Sequence, residues 1–153
     1  MAWRGVVNRF VQATIVALLL AIGAPAARAY DTPQRGSGLR ADLMDAVRPI
    51  AEWQLGAPVE FVVHDLRVAG RVAFASLTAQ RPGGGEIDMR RTPMVRRGDY
   101  DPEIGDGPTM QALLQKSGPG WVVVTYAIGP TDVWYAWDEY CPIWHAVLPE
   151  TCD

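Results

Sequence analysis

The stretch TMQALLQKSGPGWVVVTYAIG, Thr109 to Gly129, decides how the chain is read. Two apolar runs, the second rich in β-branched residues, flank KSGPG, a cluster of turn formers. That pattern predicts a β-hairpin. Side chains alternate along a strand, which sets Trp121, Val123 and Thr125 on one face. Val122, Val124, Tyr126 and Ile128 fall on the other.

Working back toward the N-terminus, VEFVVHDLRV (Val59–Val68) and RVAFASLTA (Arg71–Ala79) are joined by Ala69-Gly70 and predict another hairpin. Its alternation puts Phe61 and Val63 on one face and Val62, Leu66 and Val68 on the other. Apolar residues on both faces imply a sheet covered on much of both sides. RPGGGE then opens a turn; it lacks the lysine and following helix of a phosphate-binding loop. From Arg81 to Pro108 there is little periodicity, with Ile87 to Met89 at most a short edge strand.

Ahead of the hairpins, Leu39, Leu43, Val47 and Ile50 recur at helical spacing and form one apolar stripe. Pro49 lacks an N–H, so the helix either kinks there or restarts with Pro49 in its first turn. Gly56 ends it. After the hairpins, Thr131 is placed to cap a short helix over Asp132–Tyr140.

Helix, hairpin, loop, hairpin and short helix make an α+β fold. An N-terminal helix packs on a curved antiparallel sheet of about four strands, followed by a short helical tail. This order resembles the cystatin-like and nuclear-transport-factor-2-like folds over Leu39 to Gly129. In those folds a curved sheet clasps a helix and leaves a pocket at its open end. LGAPVEFVVHDLRVAG and WVVVTYAIGPTDVWYAW also resemble stretches of uncharacterised secreted bacterial proteins, a likeness that implies no activity or substrate.

The N-terminus reads as an export signal over residues 1–29. Arg4 and Arg9 precede the apolar run VQATIVALLLAI, and Ala27-Arg28-Ala29 supplies a cleavage site. Cleavage there leaves a leader over 30–38 and a single domain over 39–153, whose aromatic tail is 130–153. It also removes three arginines and no acid, taking the net charge from −3 to −6. A chain so acidic lacks the basic face of a nucleic-acid reader and is repelled by anionic membranes. With the signal gone, no stable membrane anchor is expected, and the destination is the periplasm or the exterior.

Cys141 and Cys152 are the only cysteines. In an oxidising compartment an even pair at short spacing predicts a disulfide that pins the tail. A redox pair would read Cys-x-x-Cys, and zinc would need more ligands than His145 can add. No metal or other cofactor is expected.

Chemistry is sparse elsewhere. His64 is the one candidate base; Asp65 beside it points to the opposite face of a strand, so the two form no dyad. Ser37, Ser76 and Ser117 fit no nucleophile motif. Asp99, Asp101 and Glu103 alternate like calcium ligands, but Ile104 and Met110 stand where the loop needs glycine and glutamate. Arg90, Arg91, Arg96 and Arg97 are placed to neutralise those acids instead.

PTDVWYAWDEYCPIW, Pro130 to Trp144, is the remaining concentration of signal. In one reading Trp134 and Trp137 plug the open end of the sheet, with the disulfide as staple. In the other, Tyr126, Asp132, Trp134, Tyr135, Trp137 and Tyr140 form a surface for a protein or a cell-envelope glycan. Rings stack on apolar faces while Asp132, Asp138 or Glu139 accept hydrogen bonds. The functional expectation is a non-enzymatic binding or envelope-associated module. The alternatives are a pocket enzyme using His64 with an acid, or a secreted inhibitor.

Overall fold

The structure is a computed structural model that describes residues 29–152. Apart from Ala29, the export signal therefore lies outside the described residues. Helix α1 (Gly38–Leu55) precedes four strands: β1 (Glu60–Ala69), β2 (Val72–Gln80), β3 (Thr109–Ser117) and β4 (Gly120–Ile128). They form one antiparallel sheet in sequence order, β1-β2-β3-β4. The fold is α+β.

Ser37 caps α1 by accepting a hydrogen bond from Arg40 N, and Gly56 stops it at φ 85°. Pro49 neither breaks nor restarts the helix. It is exposed, as is Asp45, whose carbonyl Pro49 cannot bond, so water can serve that oxygen. Arg81 fastens the other end of the helix, donating to the carbonyls of Leu55, Gly56 and Pro58. A guanidinium there also suits the negative end of the helix dipole.

The buried stripe of α1 is Leu43, Met44, Val47, Ala51 and Leu55; Leu39, expected on it, is exposed. It packs against Ala73, Ala75 and Leu77 of β2 and Met110, Ala112 and Leu114 of β3.

Simple alternation fails on both outer strands. The β1–β2 register skips between Val63 and Asp65, and the β3–β4 register skips opposite Val124. Each skip is a β-bulge, one extra residue that re-phases the strand and strengthens its twist. Phe61 and Val63 therefore join Leu66 and Val68 on the helix side. Trp121 and Val123 likewise join Tyr126 and Ile128 there.

The segment expected to be a loop holds structure as well. A 3-10 turn (Met89–Arg91) leads into α2 (Pro93–Arg97), with Thr92 as N-cap and Pro93 in the first turn. Ile87 and Met94 are thereby buried in the helix-side core.

The second core lies on the opposite face. Phe74 and Leu113 sit directly across from each other on β2 and β3. Over them lie Trp134, Trp144, Val147 and Leu148 of the tail. The tail is not the single helix expected over Asp132–Tyr140. It is a 3-10 turn (Trp134–Ala136), an extended residue at Trp137, α3 (Cys141–Trp144) and a 3-10 turn (His145–Val147). The break at Trp137 lets the chain lay both Trp134 and Trp144 on one sheet face. Cys141 and Cys152 are bridged.

Candidate functional site

The aromatic tail divides its rings between core and surface. Trp144 is buried and its Nε1 donates to Leu114 O at 3.0 Å. Trp134 is buried too, its Nε1 donating to Gln111 Oε1 at 3.0 Å. Trp137, expected beside Trp134 in a plug, is 53% exposed and stacks on Tyr140 with ring centroids 6.5 Å apart. The lid thus covers the back of the sheet instead of closing an open end, and it is Trp144 that partners Trp134 in it.

Arg67 bolts this lid down. From the outer face of β1 it donates to Asp65 Oδ2 (Nε, 2.7 Å), to Val147 O (3.1 Å) and to the Glu150 carboxylate. Its guanidinium also lies 4.7 Å from the Tyr30 ring centroid, which ties the leader to the tail. Burial acts to lower the Arg67 pKa, but hydrogen bonds and charge from Asp65 and Glu150 outweigh it and raise it. Glu150 is held below its ordinary value: burial opposes the shift, while a backbone hydrogen bond and Arg67 produce it. Tyr135 packs into this arrangement, 4.8 Å from Phe74, and burial pushes its hydroxyl up.

At the far edge of the sheet, a cleft of about 390 Å³ opens between the Asp99–Gly105 loop and the end of β4. Asp132 and Trp134 line it, together with Asp99, Tyr100, Asp101 and Ile104. Tyr100 builds this wall. Its ring fills the space over two glycines: a Cβ on Gly105 would stand 2.1 Å from the Tyr100 hydroxyl, and one on Gly129 2.4 Å. Gly129 also has φ 60°, which side-chain-bearing residues rarely adopt. Asp106 N donates to Gly129 O at 3.0 Å, completing the seam.

The acids of this loop are partly answered by arginines, Asp99 by Arg97 at 2.8 Å and Glu103 by Arg90. Among the described residues no three His, Cys, Asp or Glu side chains converge as a metal-binding group. The cleft's carboxylates, Asp99, Asp101 and Asp132, come from two separate segments and form no such cluster.

Beside the cleft, the Glu139 carboxylate holds the Tyr140 hydroxyl above its ordinary pKa, with Thr125 of β4 acting in the opposite direction. Trp137, stacked on Tyr140, is thereby tied to Thr125 of β4, a strand that also exposes Val122 and Val124.

Of the residues singled out in the sequence, Asp132 and Trp134 meet in the cleft; Tyr140 packs edge-on against Trp134 with centroids 5.6 Å apart, and Trp137 stacks on Tyr140. Tyr135 is committed to the lid. Tyr126 stands apart on the helix-covered face, its hydroxyl accepting from Gln54 Nε2 at 2.7 Å. Gln54 accepts in turn from Arg97, which lies 4.9 Å from the ring centroid of Trp53. His64 is exposed on the opposite edge strand, with Nε2 2.7 Å from Thr78 Oγ1, while Asp65 is engaged by Arg67. His64, Tyr126 and Asp132 do not line a common cavity.

Sequence reasoning passed over Tyr100 and Ile104. The available signal was the pair of glycines that close DYDPEIG and YAIG, Gly105 and Gly129, since a large ring needs bare backbone to lie against.

The class defined by this fold is an α+β domain whose sheet is covered by a helix on one face and a disulfide-stapled tail on the other. Compared with known protein families, curated proteins and solved structures, the chain matches none.

Proposed function

We propose that this is an exported, non-enzymatic binding module that recognises a component of the cell envelope in the periplasm. The observation that carries the reading is the cleft at the end of β4, lined by Asp132 and Trp134, with Tyr140 packed on Trp134 and the exposed Trp137 stacked on Tyr140. Exposed aromatics grouped beside carboxylates are the usual make-up of a recognition surface. Export is supported by the pattern of residues 1–29 and by the Cys141–Cys152 bridge, which suits an oxidising compartment. No helix among the described residues is long and apolar enough to cross a membrane.

The test is a titration of Trp53→Phe protein, in which Trp137 is the main exposed tryptophan. Soluble peptidoglycan fragments and short synthetic peptides are added while emission is followed. A saturable change with either, lost in Trp137→Ala and weakened in Asp132→Asn, is expected. Folded protein that responds to neither would remove the support for a binding face.

A further inference from the structure

We propose that the ligand is an extended, basic peptide segment that adds to the free edge of β4 and seats a lysine or arginine in the acidic cleft. This rests on the binding-module reading and names its partner.

The two edges of the sheet are finished differently. On β1, the leader already pairs at one antiparallel bridge: Asp31 N donates to Val68 O and Val68 N to Asp31 O, both at 2.8 Å. Among the described residues no segment pairs with the outer edge of β4, which bonds β3 alone. An unpaired strand edge is a template for another extended chain, and backbone pairing is sequence-tolerant. Exposed Val122 and Val124 offer apolar contacts along this strand, and the Trp137–Tyr140 stack reaches it through Thr125.

Charge selects the occupant. The tail from Pro130 to Cys152 carries no lysine or arginine; Arg67 already answers its Glu150, which leaves Asp132, Asp138 and Glu139. The cleft at the C-terminal end of β4 adds Asp101, and Asp99 beside it is held by Arg97. A peptide with basic residues answers this field, whereas a neutral glycan leaves the carboxylates without countercharge. A second copy of the chain is disfavoured twice. It is acidic overall, and the bulge at Val124 twists the edge away from the line a rigid sheet would need. A flexible peptide can follow that bend.

The experiment uses a fluorescein-labelled octapeptide of alternating valine and lysine, long enough to cover a strand of about 27 Å. Anisotropy is measured against the mature protein, with an alternating valine–glutamate peptide as control. The expected result is saturable binding of the basic peptide only, weakened at least tenfold between 0.15 M and 1 M salt as the Debye length shrinks from about 8 to 3 Å. Asp132→Lys should weaken it about tenfold, and N-methylation of alternate peptide amides should abolish it. Binding that survives N-methylation on both registers would overturn strand addition. Peptidoglycan fragments that shift Trp137 emission where the basic peptide does not would overturn this proposal and leave the binding module standing. Self-association of the protein by light scattering, blocked by Val124→Lys, would assign the edge to a second copy instead. Silence from every probe would end both readings.

Discussion

Trp137 and Trp144 belong to one short tail and meet opposite surroundings. Trp144 fills the space over Phe74 and Leu113 and gives its N–H to a buried carbonyl. Trp144→Ala should therefore cost about 3–5 kcal/mol in urea unfolding, as expected for a large ring removed from a core. Trp137→Ala should cost less than about 1 kcal/mol, because only the stack on Tyr140 is lost. Tyr100 and its glycines make a second residue-scale test. Gly105→Ala should destabilise through collision with the Tyr100 ring, and Tyr100→Ala should remove that collision. The double variant should then be no less stable than Tyr100→Ala alone, a coupling that a thermodynamic cycle measures directly. The Arg67 bolt predicts a pH dependence. Glu150 titrates lower in the folded chain, so its contribution is complete above the ordinary carboxylate value and is lost as pH falls through the lowered one. Glu150→Gln should flatten that part of the acid unfolding profile, read by circular dichroism from neutral pH downward.

The elements show which parts of the fold the sequence announces. Both hairpins and the helix are legible because apolar periodicity and turn residues agree over long runs. The disulfide is legible from the even count and short spacing of the cysteines. Side-chain facing is not, since each bulge adds one residue and reverses every assignment beyond it. Nothing in VVHD or VVVT marks the residue that will be extra; the decision lies in how the edge strands must curve around α1. The tail misleads for a related reason. Its spacing suits a helix over Asp132–Tyr140, but burying both Trp134 and Trp144 over the same sheet face requires the chain to turn at Trp137. The segment around Thr92-Pro93 was readable as an N-cap and first-turn pair, and only its brevity hid it. At this scale the disulfide is the testable joint. Replacing both cysteines with serine should remove about 3 kcal/mol by freeing the loop they close. Hydrogen exchange should then quicken across Trp134–Cys152 while α1 and the inner strands keep their protection.

Across the whole molecule, one sheet is packed on both faces. The helix side is a conventional core; the other side is closed by a tail stapled to itself and bolted to β1 through Arg67. That arrangement leaves one sheet edge, β4, meeting an acidic cleft and an exposed aromatic pair. Half of the candidate site could be seen in the sequence, as Asp132 and Trp134 of the cleft and the neighbouring Trp137 and Tyr140. The other half, Tyr100 and the acids beside it, comes from a distant loop that only folding brings to β4. The central claim is that the tail buries its other tryptophans and presents Trp137 at this edge. Acrylamide quenching of Trp53→Phe protein tests it most directly, since a neutral quencher is not repelled by the surrounding carboxylates. The account predicts a readily quenched component that disappears on adding Trp137→Phe, leaving only shielded emission. Quenching unchanged by Trp137→Phe would contradict it, for the ring would then lie inside the lid and the edge would have no aromatic face to offer.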